Sequence, residues 1–459
     1  MDRRTFVRTG AAVAGWLATG APTRTSGGRQ AALARPSPAQ LAWQRDELAI
    51  FVHFGPNTFT DREWGDGRED PAAFAPARLD ARQWARAARA AGARAMILTA
   101  KHHDGFCLWP SATTAHTVAR SPWRGGDGDV VREFVDACRA EGLRPGVYLS
   151  PWDRNHPTYG DSPRYNAVYV AQLTELLTRY GPLAEVWFDG ANGEGPNGRR
   201  QAYDWPRVFA TVRRLQPGAV IFSDAGPDVR WCGNERGEVD DTNWSAVDPA
   251  AVPAPGAAGP AVDAMLRHGD PAGAVWRPAE VDVSIRPGWF HHPAEDARVR
   301  SVDDLMALYV GSVGRNAKLL LNVPPTRDGV FHATDAARLA GLGERRSALD
   351  AAEVAGVRQA WRRTGPRTAE LLLEPRTPVA VQVVRLAEDV ARAGQRVARY
   401  ALDGHDGTAW RALARGATIG HARLVRLAPA PRLHRVRLVV EDAVAPPARV
   451  TGRLYAAGG

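Results

Sequence analysis

The sequence predicts a parallel (β/α)8 barrel, irregular around its sixth and seventh strands, followed by a C-terminal all-β sandwich. Three observations carry this. Short apolar runs alternate with amphipathic segments from residue 46 to about 324, enough chain for a barrel of ~250 residues. Successive runs lie roughly 40–50 residues apart, which leaves room for a crossover helix and so implies parallel pairing. After residue 350 the pattern changes to short Val/Leu/Arg alternations broken by Gly, Pro and Asp, the signature of antiparallel strands. A doubly wound open sheet is the competing arrangement for the first part.

The chain opens on Asp2-Arg3-Arg4-Thr5-Phe6-Val7-Arg8, followed by a small-residue apolar stretch through Ala18 and then Thr19-Gly20-Ala21. Paired arginines before a weakly apolar segment resemble a twin-arginine export signal with a small-x-small cleavage site ending at Ala21. The stretch falls short of the ~20 apolar residues of a membrane anchor. Pro22 to Pro38 reads as an unstructured leader, so residues 1–38 stand apart from the folded chain. A periplasmic or secreted protein, free of the membrane once the signal is removed, is the expectation. Cys107, Cys138 and Cys232 form no C-x-x-C or Cys/His ligand spacing, so neither a disulfide framework nor a zinc site is indicated.

The barrel is assigned to residues 39–350. Its strand candidates are Leu48–Phe54, Arg94–Ala100, Pro145–Ser150, Ala184–Asp189, Ala219–Asp224 and Lys318–Val323. Helical period is clear in Val131, Phe134, Val135 and Cys138, and again in Leu173, Leu176, Leu177 and Tyr180, each set at i, i+3, i+4, i+7. Asp80–Ala91, Asp204–Leu215, Ser301–Val313 and Ala333–Ala348 are further helices. Between Asp224 and Ser301 no helix stands out, and Ala250–Gly273 reads as a Pro/Ala/Gly loop. The sandwich, residues 351–459, takes its strands from Val379–Leu386, Val397–Leu402, Ala422–Leu427, Arg432–Val440 and Ala448–Tyr455.

Composition narrows the partners. With 459 residues, 44% hydrophobic and 24% charged, the chain is globular, which excludes disorder, collagen and coiled coil. A net charge of +9 raises the question of polyanions. The arginines are dispersed and few aromatics interleave with them, so a nucleic-acid surface is not indicated. Fifteen Trp against four Met supply flat apolar faces with one polar edge, suited to sugar rings as well as to packing.

Catalytic groups of a parallel barrel sit where strands end, and the unusual polar residues lie there. The runs end in His53-Phe54-Gly55, in Lys101-His102-His103-Asp104-Gly105, in Tyr148-Leu149-Ser150-Pro151-Trp152 and in Trp187-Phe188-Asp189-Gly190. If the second strand persists, His102 and His103 point to opposite faces and are poorly placed to share a metal. Asp189, after a buried apolar run, needs a partner or a task.

His53-Phe54-Gly55, Glu63-Trp64-Gly65, Lys101-His102-His103-Asp104-Gly105-Phe106, Tyr148-Leu149-Ser150 and Val186-Trp187-Phe188-Asp189-Gly190 together resemble glycoside hydrolase family 29, the α-L-fucosidases. The resemblance runs from about Leu41 to the chain end, with Lys318–Pro325 as the family's last barrel strand. It implies a retaining glycosidase acting on fucosylated glycans, needing no metal or other cofactor, with Asp189 as nucleophile. Arg230–Gly237 resembles the segment carrying the acid/base in the subgroup that acts on α-1,3 and α-1,4 linked fucose, which implies Glu235. Glu280 is its rival and otherwise a substrate-binding candidate. His53, His102 and His103 would bind sugar hydroxyls, Glu63 and Trp64 would close a rim, and Tyr148 would stand near the nucleophile. Trp231, Trp276 and Trp289 are candidate sugar platforms, and Arg286 either lines the aglycone side or forms a structural salt bridge. A retaining glycosidase of other specificity and a fucose-binding protein without catalysis remain open alternatives.

Overall fold

The structure, a computed structural model, describes residues 33–457; the expected export signal lies outside them. Eight strands form one all-parallel sheet: β1 Leu48–Val52, β2 Ala95–Lys101, β3 Arg144–Leu149, β4 Glu185–Trp187, β5 Val220–Phe222, β6 Arg230–Trp231, β7 Ala279–Ser284 and β8 Ala317–Asn322. Their spatial order is β5-β4-β3-β2-β1-β8-β7-β6, and a parallel bridge between Phe222 and Val229 brings the two edges together. Burial on both faces explains the unbroken apolar run of β1 and the Ala95-Met96-Ile97-Leu98 run that opens β2.

Helices α1 Pro38–Asp46, α2 Ala81–Ala90, α3 Val130–Ala140, α4 Ser162–Arg179, α5 Trp205–Leu215, α6 Pro260–His268, α7 Val302–Ser312 and α8 Ala333–Ala351 follow the helical period and its caps. Ser37 and Ser301 close capping boxes with Gln40 and Asp304, and Asp80, Asp129 and Asp204 each accept from the third backbone N–H of their helix. Helix α6 corrects the reading of 250–273 as loop. It buries only Val262 and Leu266, one i, i+4 pair, too little periodicity to register beside the surrounding Pro, Ala and Gly. Strand six is short as expected, whereas β7 is a regular six-residue strand. Its mixed Ala279-Glu280-Val281-Asp282 pattern hides it, because both carboxylates face polar partners inside the barrel.

The sandwich holds two antiparallel sheets with their own apolar core. One contains β9 Arg358–Arg363, β10 Ala369–Glu374, β16 Arg435–Ala443, β12 Val397–His405 and β13 Trp410–Gly416; the other contains β14 Arg423–Arg426, β11 Val379–Glu388, β15 Arg432–Leu433 and β17 Val450–Ala456. Strands β9, β10 and β13 fall outside the expected set: β9 and β13 are edge strands without a buried side chain, whereas β10 is an inner strand buried on alternate residues whose Leu371-Leu372-Leu373 run masks the alternation. Polar side chains stitch sandwich to barrel: Gln395 accepts from the Ser245 and Asn316 donors, and Thr418 Oγ1 accepts from Asn243 N–H.

A charged knot fills the barrel floor. Glu185 opens β4, and Glu280 and Lys318 are paired in register near the starts of β7 and β8. Lys318 Nζ lies 3.0 Å from Glu185 and 3.4 Å from Glu280, while Trp43 Nε1–H donates to Glu185 and Trp187 Nε1–H to Glu280. Burial, then Glu185, pushes the Glu280 carboxyl well above its ordinary range. Burial works against the Lys318 ammonium, but Glu185 and Glu280 outweigh it and its pKa ends raised. Removing one partner of such a knot strands buried charge. Lys318→Met is therefore expected to lower folding stability by about 3–5 kcal/mol in urea denaturation; a loss below about 1 kcal/mol, the range of an exposed pair, would contradict this role.

Candidate active site

The carboxyl ends of the strands open into a cavity of about 690 Å3, within the range of small-molecule sites. His53, Glu63, Trp64, His102, His103, Asp189, Glu235 and Trp289 line it, joined by Phe51, Asn234, Arg236, Gly288, His292, Glu295 and Arg298. Sequence reasoning missed these last seven, most of which lie on loops without apolar period.

Asp189 sits two residues beyond β4. The Tyr148 hydroxyl donates to its Oδ2 at 3.0 Å and Ala191 N–H donates to Oδ1 at 2.8 Å. The two donors fix the orientation of both carboxyl oxygens. The adjoining turn is tight: a Cβ at Gly190 would lie 2.0 Å from Asp224 Oδ2 and 2.9 Å from Gly256 N, so a larger residue would displace these neighbours. His103 Nε2 approaches Asp189 Oδ2 to 3.9 Å.

His102 and His103 correct the expectation that they point apart. Strand β2 ends at Lys101, so the pair occupies a turn, with ring centroids 4.1 Å apart and both side chains on the cavity. Asp104 holds that turn: its carboxylate accepts Phe106 N–H at 2.7 Å and Asn57 Nδ2 at 3.3 Å. Burial pushes the Asp104 carboxyl up to about 7.

Glu235 projects from the loop after β6. Cys232 Sγ donates to Asn234 O, Asn234 Nδ2 to Glu238 O, and Arg236 N–H to Asn234 Oδ1, which folds the loop back on itself. Gly237 has φ +90°, and a Cβ there would lie 2.2 Å from Leu308, so α7 braces the loop from outside.

The other two cavity glutamates hold the opposite rim. Glu63 accepts Trp289 and Phe290 N–H and bonds His292 Nε2 at 3.0 Å. Burial opposes charge on His292, but the hydrogen bonds to Asp61 and Glu63 outweigh it and raise its pKa, and the two ring nitrogens bridge those carboxylates. Glu295 accepts Gly288 N–H at 3.0 Å and pairs with Arg298.

Four candidates lie elsewhere. Glu280 belongs to the floor knot, at the opposite strand end from the cavity, because it is the second residue of β7. Trp231 points into the barrel and donates to Asp282 Oδ1 at 2.7 Å; Trp276 donates to Gln44 Oε1 at 3.1 Å. Arg286 is buried and bound to Asp335 and Asp296, each at 2.8 Å, so it anchors the Pro287–Trp289 rim without lining it. Among the described residues, no group of three or more His, Cys, Asp or Glu side chains is arranged to hold a metal ion.

Carboxylates, histidines and aromatic planes around a closed-ended cavity at the carboxyl mouth of a parallel barrel define a sugar-processing barrel enzyme. The sequence profile of the alpha-L-fucosidases matches residues 68–345, and the chain belongs to this family of glycoside hydrolases, family 29. Alpha-L-fucosidase 1 of Arabidopsis thaliana is 40% identical over 440 residues, covering 89% of this chain and 85% of its own. A family 29 member from a rumen bacterium is 40% identical with a TM-score of 0.85, covering 93% of this chain and 78% of its own. A Ruminococcus gnavus family 29 fucosidase, solved in complex with fucose, is 29% identical with a TM-score of 0.80 over 94% and 97% of the two chains.

The Asp104 carboxyl gives a pH test. With its folded pKa raised from 3.8 to about 7, its contribution to stability is fully present below pH 3.8 and is lost as pH rises through about 7. Asp104→Asn, which cannot ionise, should therefore gain stability relative to the parent between pH 4.5 and 7.5 in thermal melts. A difference that stays constant with pH would contradict the assignment.

Proposed function

We propose that this chain is an exo-α-L-fucosidase that releases terminal α-linked L-fucose from glycans with retention, favouring α-1,3 and α-1,4 linkages. The observation that carries this is Asp189, pinned by Tyr148 and Ala191 at the β4 tip and sharing one cavity with Glu235. Retention asks for two carboxyl groups with opposite protonation, one to attack and one to release the aglycone. Two fixed donors suit Asp189 to the ionised role. Glu63 and Glu295 accept backbone N–H groups and are bonded to His292 and Arg298, which commits them to holding the rim. Glu235, longer and carried on a loop, suits the acid that must later act as base.

In the first step an Asp189 oxygen attacks the anomeric carbon as the glycosidic bond breaks, and the Glu235 proton passes to the departing oxygen. In the second, Glu235 takes a proton from water, whose oxygen displaces Asp189 and restores the α configuration. Trp64, Trp289 and Phe51 offer the apolar face and methyl group of fucose a dry wall, and the histidines meet its hydroxyls. The position of Glu235 in the Arg230–Gly237 segment supports the linkage preference. Arg3-Arg4 and the small-residue stretch to Ala21 support export of the folded enzyme to the periplasm or medium.

Purified protein should release fucose from an aryl α-L-fucoside and from α-1,3/1,4-fucosylated trisaccharides faster than from an α-1,2 isomer. Glu235→Ala should lose roughly 10²–10⁴-fold on natural glycans, keep activity on activated aryl fucosides, and yield α-fucosyl azide with azide. Asp189→Ala should lose turnover while staying folded, and azide rescue there should give the β-azide. Release of another sugar from an aryl glycoside panel, or fucose binding by calorimetry without any turnover, would replace this reading.

A further inference from the structure

The partners standing behind two cavity histidines determine which ring nitrogen carries the proton. Asn322 ends β8, where its Nδ2 donates to Ser284 Oγ and to the Trp289 carbonyl, each at 2.9 Å. A carbonyl only accepts, so flipping this amide would set two oxygens 2.9 Å apart with no proton between them. The amide orientation is thereby fixed, and Oδ1 faces His53 Nδ1 at 2.8 Å. Because Oδ1 is an acceptor, the proton of that bond belongs to Nδ1.

Ser150 imposes the same condition on His103 by an independent route. Its single hydroxyl proton goes to the Trp152 carbonyl at 2.7 Å. Turning that proton toward His103 would again leave two oxygens facing each other. Ser150 Oγ therefore accepts from His103 Nδ1, also at 2.7 Å. In a neutral imidazole with Nδ1–H, the lone pair lies on Nε2. For His103 that nitrogen is the one turned toward Asp189.

We propose that Asn322 and Ser150 are positioning residues that lock His53 and His103 as Nδ1-protonated imidazoles, so that each presents Nε2 to the cavity as an acceptor of a sugar hydroxyl proton. The two rings then read donors. A hydroxyl opposite either nitrogen satisfies it, whereas fluorine, which accepts but cannot donate, faces a lone pair and is rejected as firmly as hydrogen. Asn322 has a second task in the same geometry: by holding the Trp289 carbonyl it ties the rim to the strand tip behind His53, so aromatic wall and hydroxyl acceptor keep one spacing.

Two arms test this, and only the second rests on the fucosidase reading. In the first, resting enzyme labelled with 15N-histidine is examined by long-range 1H–15N correlation near neutral pH, with His53→Gln and His103→Gln assigning the signals. Both rings should show the Nδ1–H tautomer. Ser150→Ala should release His103 alone into the Nε2–H form or a mixture, Ser150→Thr should restore it, and Asn322→Ala should release His53 alone. An Nε2–H or doubly protonated ring at either position in the parent enzyme overturns the proposal. If Asn322→Ala does not fold, Ser150→Ala, which deletes one oxygen, carries the comparison. In the second arm, competitive inhibition by fucose analogues with one hydroxyl at a time replaced by hydrogen or fluorine should show two positions where both replacements raise Ki about ten-fold or more. Fluorine recovering the affinity at those positions overturns the proposal. Failure of every analogue, and of fucose itself, to bind would remove the fucosidase reading and leave the tautomer measurement standing.

Discussion

Everything at the mouth of this barrel depends on holding one carboxyl group in a fixed orientation at the end of a buried strand. Asp189 follows Val186-Trp187-Phe188, all fully buried, and a polar group emerging there needs fixed donors. The Tyr148 hydroxyl and Ala191 N–H supply those donors from the neighbouring strand and from its own turn. The same strand carries Glu185 at its base, so β4 joins a charged floor to a charged mouth through Trp187. That indole donates to Glu280 below and stacks on Phe222 at 4.0 Å, which fixes the height and angle at which Asp189 emerges.

Rigidity is distributed accordingly. The Asp189 side rests on strand tips and a glycine turn packed against Asp224. The Glu235 side rests on a loop closed by its own Asn234 and braced by α7. The far rim is a third unit in which Glu63 and His292 tie two loops together and Arg286 ties its loop to helix α8 through Asp335. The cavity thus carries one carboxyl group held at a strand tip and one borne on a loop, the asymmetry on which the proposed double displacement draws.

The placement of His53, His102, His103, Asp189 and Tyr148 was legible because a parallel barrel converts the sequence position "end of an apolar run" into the spatial position "mouth of the site". The same rule explains the failure at Glu280. Strand β7 has no apolar run, so its phase could not be read, and nothing in the sequence showed that Glu280 stands at a strand's beginning, away from the mouth. Arg286 and Trp231 show the limit of residue type as a guide, since a guanidinium bonded to Asp335 and an indole bonded to Asp282 are satisfied within the fold. His292 and Glu295 left no trace because a rim built from turns has neither period nor cap pattern, and their significance lies in partners distant in sequence such as Glu63. The excess of arginine resolves into exposed pairs, Arg358–Glu374 and Arg362–Glu370 among them, and forms no part of the sugar site's walls beyond Arg236 and Arg298.

The central claim is that Asp189 forms the covalent bond to the sugar, and trapping tests it most directly. A 2-deoxy-2-fluoro-fucosyl fluoride carries a good leaving group but slows breakdown of the ester that follows. Incubated with the enzyme, it should raise the intact mass by one fluorofucosyl group, and peptide sequencing should find that group on Asp189. An adduct on Glu63, Glu235 or Glu295, or one that forms equally in Asp189→Ala, would contradict the account.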